Sequence, residues 1–382
     1  MPIDKQKLKD INNLKEQLSK HFKKDVLFTG TEAIDKGIFD KVIIPTSSIE
    51  LNNALWCGGV GGIVELFGPP GGGKTSLAIE ILAEAQKRDP NFIGLWLETE
   101  HSIFPEILIR HGIDPDRLLY LAQEDLNDAD NALDVVVSTV ERGLANMVIV
   151  NSVAGLLPAQ EKEDSLTKQG IALTARLMSK LFRKITGAAG KTKTTMIFIN
   201  QIRDKVGVMF GDPATTTGGK ALQFYANQRI RLNRLKIDKA DPITDEEGVK
   251  VSCIIYKNRW ADGHNPYTKC EYYARYDTGI DSIVAIPQTL ADKGIFVQKG
   301  AWWYSYEEGT DTPRTIEGIE CKFNSKNAFI NALRENENFR NALMKYIEVN
   351  NVSASVREEI EREEEETTKA LQEMEALDSE EE

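Results

Sequence analysis

The sequence IVELFGPPGGGKTSLAIEILAEA, at residues 63–85, decides the fold class of this chain. An apolar run of strand length at 63–67 leads into a glycine-rich segment, and apolar residues at helical spacing follow it. The segment Gly68-Pro69-Pro70-Gly71-Gly72-Gly73-Lys74-Thr75 fits the pattern G-x-x-x-x-G-K-S/T of a phosphate-binding loop between a strand and a helix. Because glycines let successive backbone N–H groups turn toward phosphate, the stretch predicts ATP or GTP binding. Lys74 would reach the β- and γ-phosphates and the Thr75 hydroxyl would coordinate Mg²⁺, whereas the alternative is a glycine-rich turn that fits the pattern by coincidence.

Short apolar runs alternate with helical patterns from residue 63 to residue 199. Such alternation is typical of a mainly parallel, doubly wound sheet with helices on both faces, so the predicted fold class is α/β. The predicted strands cover residues 63–67, 92–97, 147–150 and 195–199, and the predicted helices cover 74–88, 104–112, 129–144 and 171–187. Three later runs lie closer together and predict antiparallel strands that extend the sheet, at 230–235, 249–256 and 271–276.

The remaining sequence predicts additions at both ends of a core that spans residues 41–283. Residues 1–40 begin with a basic amphipathic helix whose single apolar stripe needs another surface, in its own core or in a neighbouring subunit. Residues 284–352 combine aromatic residues, turns and two helical patterns, which predicts a small α+β domain. Residues 353–382 hold few core-forming residues, so we expect a disordered tail or a solvated helix there.

Charge is distributed very unevenly along the chain. The 382 residues carry a formal net charge of −12, which on its own argues against nucleic-acid binding. Residues 168–236, however, hold 14 basic and two acidic residues, whereas residues 357–382 hold 13 acidic and three basic residues. Such asymmetry is typical of nucleic-acid binding or of a tail that masks a basic surface, although clustered solvated faces are an alternative.

Three features are not expected from this sequence. A run of about 18 apolar residues is missing, so we expect no membrane span. The first 25 residues lack the apolar core of a signal peptide, which favours a cytoplasmic location. The four cysteines and four histidines are too scattered to predict a zinc site.

Two carboxylates and an asparagine follow the predicted strands, at the edge where open α/β sheets bind ligands. In LWLETEH (95–101), Glu98 and Glu100 fall on the same face, just past a buried strand. A carboxylate there can polarise a water for attack on the γ-phosphate, although a solvated turn is the alternative. The third strand ends at Asn151-Ser152, where phosphate-loop enzymes normally place an Asp that holds the Mg²⁺ water shell. Asn151 can still accept a hydrogen bond from a metal-bound water.

Four further stretches resemble the RecA family of homologous recombinases, bacterial or phage-encoded. They are INQIRDKVGVMFGDPATTTGGKALQFYA at 199–226, LETEHSIFP at 97–105, SSIELNNAL at 47–55 and GAWWYSY at 300–306. The resemblance implies a RecA-like ATPase core with an N-terminal oligomerisation helix and a small C-terminal domain. It also implies a DNA-dependent ATPase that uses ATP and Mg²⁺ and forms homo-oligomeric helical filaments on single-stranded DNA. Such a protein would exchange strands with homologous duplex DNA in recombination, repair and the SOS response.

Carried over position by position, the resemblance assigns an ATP site. The loop Gly68–Thr75 would bind ATP and magnesium, with Lys74 among the catalytic residues. Glu100 would activate water, and Asn200-Gln201 would sense the γ-phosphate. The cations Lys257 and Arg259 would reach the ATP of the neighbouring subunit, and Phe224 would dock into that subunit.

The resemblance also implies two DNA-binding loops, at about 163–171 and about 202–219. The first loop leads into a helix that carries Arg176. In the second, amides and threonine hydroxyls suit phosphate contacts and apolar side chains could wedge between bases, although an ordinary active-site lid is the alternative. The predicted DNA contacts are Arg176, Arg203, Lys205, Val206, Gly207, Met209, Phe210, Thr217, Gly218 and Gly219.

Departures from the family pattern bear on hydrolysis and nucleotide preference. Asn151 replaces an Asp, and Phe104 and Ile107 stand where the family usually contacts adenine. Asp204 places a negative charge inside the second loop. We therefore expect slower or differently tuned ATP hydrolysis. Two alternatives share the same core: a hexameric DNA helicase motor, and a weakly hydrolysing, ATP-gated protein that coats single-stranded DNA or acts as a mediator.

Overall fold

The computed structural model describes residues 4–163, 172–204, 214–239, 241–261, 263–307 and 309–348. Several predictions lie outside these residues: nearly all of the first DNA-binding loop, the acidic tail at 353–382, and the contacts Lys205, Val206, Gly207, Met209 and Phe210. The side chains of Arg203 and Asp204 also lie outside, although their backbone belongs to a strand.

The described chain is built around one ten-stranded sheet. Its strands are β1 (Ile63–Gly68), β2 (Gly94–Glu98), β3 (Leu118–Ala122), β4 (Met147–Asn151), β5 (Thr195–Asp204), β6 (Ala214–Thr216), β7 (Gln228–Leu235), β8 (Gly248–Asn258), β9 (Lys269–Arg275) and β10 (Gly279–Ile280). Their order across the sheet is β3-β2-β4-β5-β1-β7-β8-β9-β10, with β6 paired to β5. Neighbours from β3 to β7 are parallel, and those from β7 to β10 are antiparallel. The predicted α/β class, with a mainly parallel sheet and an antiparallel extension, is confirmed.

The seven predicted strands are all present, and β3 is an additional strand that the sequence pattern does not predict. Four of its five residues are exposed or half-buried, because β3 lies at the edge of the sheet. By contrast, β1, β2 and β4 are buried at every position. A strand covered on both faces normally shows a continuous apolar run, and β3, with the sequence LLYLA, shows such a run even at the sheet edge.

Helices cover both faces of the sheet and add a layer at each end of the chain. They are α1 (Lys5–Phe22), α2 (Gly30–Asp35), α3 (Ile49–Ala54), α4 (Lys74–Arg88), α5 (Pro105–Arg110), α6 (Ala129–Glu141), α7 (Ala159–Glu163), α8 (Leu173–Thr192), α9 (Ala221–Tyr225), α10 (Ile286–Asp292), α11 (Lys326–Glu335) and α12 (Glu337–Glu348). On one face, Leu77 and Ile81 of α4 pack in the core with Leu66 of β1. On the other, Leu133 of α6 and Phe182 of α8 form a second core. Both cores meet at β1, which therefore lies at the centre of the fold.

The N-terminal helix α1 leaves apolar side chains in solvent. Leu8, Leu14 and Phe22 are 45%, 46% and 52% exposed. Lys15 forms an ion pair with Glu32 of α2. An apolar stripe on a helix normally faces a core, so this stripe is available to another surface.

Residues 282–348 have a hydrophobic core of their own. It contains Phe323, Phe329 and Phe339, and the rings of Phe323 and Phe329 stack with centroids 4.3 Å apart. The strands here are β11 (Val297–Lys299), β12 (Trp302–Tyr304), β13 (Thr315–Ile316), β14 (Ile319–Glu320) and β15 (Lys322–Phe323). Arg334 of α11 joins this region to the main sheet through a 2.6 Å bond to Asp281. Among the described residues, every helix is too short or too polar to cross a membrane.

Candidate active site

The phosphate loop lies at the carboxyl end of β1, which has a parallel neighbour on each side. Gly68 packs against β7, since a Cβ at this position would lie 2.1 Å from the carbonyl oxygen of Leu232. Gly73, the residue before α4, has a φ of +85°, which residues with a side chain rarely adopt. These two glycines bring the loop close to the sheet and turn it into the N-terminus of α4. Backbone N–H groups at such a terminus favour an anionic phosphate.

Lys74 begins α4 and points back into the loop. Its ammonium donates hydrogen bonds to the carbonyl oxygens of Gly68, at 3.1 Å, and Pro69, at 2.8 Å. Burial lowers the pKa of Lys74, and the negative charge of Glu100 opposes this shift. The cation therefore lies against the carbonyl oxygens at the start of the phosphate loop.

Thr75 and Asn151 come together as predicted for a magnesium site. The Thr75 hydroxyl donates to Oδ1 of Asn151 over 3.4 Å. The Asn151 amide group donates to both carboxylate oxygens of Glu98, at 3.1 and 3.3 Å, and to Oγ of Ser102, at 2.8 Å. These bonds orient Oδ1 toward Thr75 and present two neutral oxygen donors. Oxygen donors of this kind are what Mg²⁺ prefers, so the residues fit the ion.

Glu98 is a buried carboxylate whose oxygens are occupied by hydrogen bonds within the chain. Only 1% of its surface is exposed. It accepts hydrogen bonds from the indole of Trp96 and from the backbone N–H groups of Thr99 and Glu100. Its contacts therefore fix both the turn after β2 and the orientation of Asn151.

Glu100 is held by two side chains that are distant in the sequence. Oε1 of Glu100 accepts hydrogen bonds from the Ser152 hydroxyl and, at 3.1 Å, from the side-chain amide of Gln201. Ser152 follows Asn151 at the end of β4, and Gln201 lies on β5 opposite Gly68 of β1. The predicted residues Glu100 and Gln201 are thus brought together beside the phosphate loop. Ser152 is an additional contact, and its position directly after Asn151 was the only sequence feature that could have indicated it.

Asn200 connects this site to the end of the second predicted DNA-binding loop. Its side-chain amide donates to the carbonyl oxygen of Thr217, at 2.9 Å, and to Glu65, at 3.0 Å. Its own Oδ1 accepts a 2.9 Å bond from the backbone of Gln201. Asn200 is fully buried, so the end of the loop and Gln201 of β5 share one buried hydrogen-bonding side chain.

The described residues of the predicted DNA surface lie close to one another. Gly219 packs against α8, since a Cβ there would lie 2.8 Å from Cβ of Ala175. Arg176, which follows Ala175 in the sequence, is exposed on the first turn of α8. Gly218 packs against Val153, with a hypothetical Cβ 2.9 Å from that side chain. The backbone of Arg203 pairs with Thr215 across β5 and β6.

A cavity of about 370 Å³ adjoins the phosphate loop on the side of α4. Its far wall contains Tyr276 and the pair Glu80–His111, whose Oε1 and Nδ1 atoms are 2.5 Å apart. Phe104 and Ile107 stand where the family usually contacts adenine. Ile107 does not line this cavity and packs against the core, whereas Phe104, three residues earlier in the chain, is 57% exposed. The cavity is large enough for a nucleoside, and no sequence motif indicates its wall residues.

Lys257 and Arg259 lie side by side at the end of β8, next to Phe224. The Lys257 ammonium donates to the carbonyl oxygens of Gln223, at 2.8 Å, and Phe224, at 2.9 Å. Arg259 donates to the same Phe224 carbonyl at 2.8 Å. Burial, followed by the charges of Arg259 and Arg229, lowers the pKa of Lys257 to about 8. The Phe224 ring itself is 67% exposed.

The strand–loop–helix geometry, with Glu100 after β2 held beside the loop by Gln201 of β5, defines a nucleoside triphosphatase of the phosphate-loop class. The family model described as RecA N-terminal domain matches residues 9–281. The chain is 39% identical over 267 residues to "Protein RecA" of Aquifex pyrophilus, which covers 69% of this chain and 74% of the relative. It is 40% identical over 271 residues to the RecA protein of Syntrophus aciditrophicus (70% and 76%), and 36% identical over 330 residues to that of Chloroherpeton thalassium (84% and 88%).

The chain therefore belongs to the RecA family. It is a nucleotide-binding, DNA-dependent ATPase of recombination and repair. Family membership does not favour the hexameric helicase or the weakly hydrolysing DNA-coating protein.

Proposed function

We propose that this chain polymerises on single-stranded DNA with ATP and Mg²⁺ bound between subunits, and that the filament pairs with homologous duplex DNA. The contact between Glu100 and Gln201 carries this proposal, because it joins the predicted catalytic carboxylate to the strand that leads into the second DNA-binding loop. A bacterial cytoplasm, or that of a host cell if the chain is phage-encoded, is the proposed location.

The hydrolytic step uses residues on three neighbouring strands. Lys74 would move from the loop carbonyls to the β- and γ-phosphates, and Thr75 and Asn151 would hold Mg²⁺, Asn151 through water. When bound, the ion would supply positive charge that neutralises the phosphates. Glu100 accepts a proton from the attacking water, while Ser152 and Gln201 hold its Oε1 in place.

DNA binding is coupled to this step through β5. Gln201 senses the γ-phosphate, and its neighbour Asn200 holds Thr217 at the end of the second loop. Thr217, Gly218 and Gly219 then contact DNA together with Arg176 on α8. The loop residues Arg203, Lys205, Val206, Gly207, Met209 and Phe210 are proposed to complete the contact with the strand.

The neighbouring subunit completes each ATP site. Lys257 and Arg259 reach the phosphates bound by the next subunit, and Phe224 anchors the two subunits. The exposure of Phe224 and of the apolar stripe on α1 supports this assembly, because large exposed apolar side chains mark interaction surfaces.

Electron microscopy with single-stranded DNA and a non-hydrolysable ATP analogue tests the proposal. We expect regular helical filaments for the wild type and for Glu100→Gln, which should assemble but not hydrolyse ATP. Lys74→Ala should lose ATP-dependent filaments and strand exchange, whereas Lys87→Ala, at the exposed end of the same helix, should lose neither. Closed rings would instead favour a helicase, and full strand exchange by Lys74→Ala would refute the nucleotide site.

A further inference from the structure

Glu65 is a fully buried carboxylate that has no role in the hydrolytic step described above. It lies on β1, between β5 and β7, and none of its surface is exposed. Oε1 accepts a 3.0 Å hydrogen bond from Asn200 on β5, and Oε2 accepts a 2.5 Å bond from Arg229 on β7. One side chain therefore bridges the strands on both sides of the strand that carries the phosphate loop.

On the β5 side, this bridge leads directly to the catalytic carboxylate. Asn200 accepts the backbone N–H of Gln201 at 2.9 Å, and Gln201 donates to Glu100 at 3.1 Å. A change in the position of Gln201 would therefore shift Asn200 and alter the hydrogen bond that Asn200 donates to Glu65. Each contact in this series is a hydrogen bond of normal length; the bonds made by Asn200 are buried or half-buried, and the bond from Gln201 to Glu100 is exposed.

On the β7 side, the bridge leads to the cations that the subunit presents to its neighbour. Arg229 lies directly opposite Lys257 in the β7–β8 ladder, and its guanidinium stacks on the ring of Phe67, 4.8 Å from the centroid. Lys257 and Arg259 in turn hold the carbonyl oxygen of Phe224. Three cations thus lie together, and Glu65 is the carboxylate that neutralises Arg229.

This arrangement depends on charge compensation. Like charges directly opposite each other in a ladder repel, and a buried charge without its partner is strongly destabilising. Arg229 is only 14% exposed in its side chain, so its position depends on Glu65. A change in the hydrogen bond between Asn200 and Glu65 would therefore change the positions of Arg229 and of the adjacent Lys257.

We propose that Glu65 and Arg229 are a positioning pair that couples the ATP site of one subunit to the cations Lys257 and Arg259 that the same subunit presents to the next ATP site. The inference rests on the proposed function only in taking Lys257 and Arg259 to act on the neighbour's ATP. Occupation of one site then biases the next, which is cooperativity with a defined contact path.

The test compares ATP hydrolysis on poly(dT) with nucleotide binding by the free protein. Glu65→Gln keeps the size of the side chain and removes its charge. Because Glu65 does not line the nucleotide cavity, the affinity of the free protein for a non-hydrolysable ATP analogue should be unchanged. On DNA, the Hill coefficient for ATP should fall toward 1. The ATP concentration at half-saturation should rise by at least about fivefold, because fivefold is the low end of the affinity change that coupled sites typically show.

Two further variants separate coupling from a loss of fold. Arg229→Lys retains the cation, so it should fold even if Glu65→Gln does not, and should lower the Hill coefficient in the same direction. The double variant Glu65→Gln with Arg229→Gln removes both charges and should lose no more cooperativity than either single change. Asp241→Asn is the matched control, because it breaks an ion pair with Lys250 at the opposite end of β8.

The outcomes distinguish this inference from the proposed function. If Lys257→Ala abolishes DNA-stimulated hydrolysis while Glu65→Gln and Arg229→Lys keep the wild-type Hill coefficient, the pair does not couple the sites and the inference fails alone. If Lys257→Ala hydrolyses ATP on DNA at the wild-type rate, the neighbour-site part of the proposed function fails, and the inference fails with it. A loss of cooperativity in Asp241→Asn equal to that in Glu65→Gln would also overturn the inference.

Discussion

Asn151 illustrates how a neutral side chain can be the better choice next to a phosphate site. Its amide donates to both oxygens of Glu98, while its carbonyl oxygen faces Thr75. An aspartate at this position would bring a second carboxylate against Glu98. Two like charges in such contact repel each other, and Glu98 also loses its amide donor.

We therefore expect Asn151→Asp to alter both stability and turnover. A buried acceptor that loses its donor costs about 1–3 kcal/mol, so the free energy of unfolding should fall by that amount without nucleotide. Because an aspartate binds Mg²⁺ more strongly than an asparagine, Mg²⁺ and nucleotide should recover part of the loss and turnover should change. Thermal denaturation with and without the Mg²⁺–nucleotide complex, together with an ATPase assay, measures these effects.

The matched control exchanges the two groups. Glu98→Gln combined with Asn151→Asp restores one donor and one carboxylate at this contact, so its stability should exceed that of Asn151→Asp alone. An Asn151→Asp variant with the stability and turnover of the wild type would contradict the role given to this amide.

Lys257 makes a pH dependence predictable at the residue scale. Burial and the adjacent Arg259 and Arg229 lower its pKa to about 8, so its positive charge is present below that pH and is lost as the pH rises through it. DNA-stimulated ATPase activity should therefore fall as the pH rises. A bound phosphate would raise the pKa of Lys257 above its value in the free chain, so we expect the fall between about pH 8 and pH 10. Lys257→Arg, whose guanidinium stays charged, should show a flat profile over this range. Equal pH profiles for the two proteins would exclude Lys257 as the titrating group.

At the scale of elements, α1 offers a separable test of assembly. Leu8 and Leu14 are about half exposed, so replacing both with Asp should leave the melting temperature of the free chain nearly unchanged. The same change should weaken filament formation, because charge would enter the proposed subunit contact. Sedimentation and electron microscopy measure this, with Lys9→Asp on the exposed polar side of α1 as the control. Normal filaments from the double variant would remove α1 from the proposed interface.

The sequence predicted the elements well where burial is complete and less well elsewhere. The runs that became β1, β2 and β4 are apolar at nearly every position because both faces of these strands are covered. The edge strand β3 was missed although its sequence, LLYLA, is also apolar throughout, so burial does not explain this omission.

The same distinction applies to the site. Motif spacing placed Lys74, Thr75 and Glu100 near one another, and resemblance to the family added Gln201. Glu65, by contrast, lies inside the strand IVELF and reads as part of an apolar run, since only the order of strands across the sheet places it between Asn200 and Arg229. Long-range partners of this kind cannot be found from local spacing.

For the whole molecule, the uneven charge predicts how the basic segment and the acidic C-terminal segment of the sequence interact with DNA. Residues 357–382 hold 13 acidic residues, and residues 168–236, which include the end of the first predicted DNA-binding loop and all of the second, hold 14 basic ones. DNA affinity depends on local cations and on salt rather than on the net charge of the chain. The acidic segment is therefore a candidate competitor for the basic surface.

Truncation after Ser355 should tighten binding to duplex DNA at low salt and low Mg²⁺. The effect should disappear as the salt concentration rises, because exposed charges are screened within about 10 Å at 0.1 M ionic strength. Fluorescence anisotropy with a labelled duplex measures it, and a chain in which the acidic residues of 357–382 are replaced by Gln and Asn is the control for length. Unchanged affinity in both variants would leave the segment only a solubilising role.

The hold of Lys257 and Arg259 on the Phe224 carbonyl has a consequence for subunits that are not assembled. In a free subunit the two cations are occupied by the chain's own backbone, and the ring beside them projects into solvent. Docking of that ring is the event that would bring a phosphate close enough to compete for the cations. Unassembled subunits would therefore hydrolyse little ATP, and hydrolysis would begin only within an existing filament.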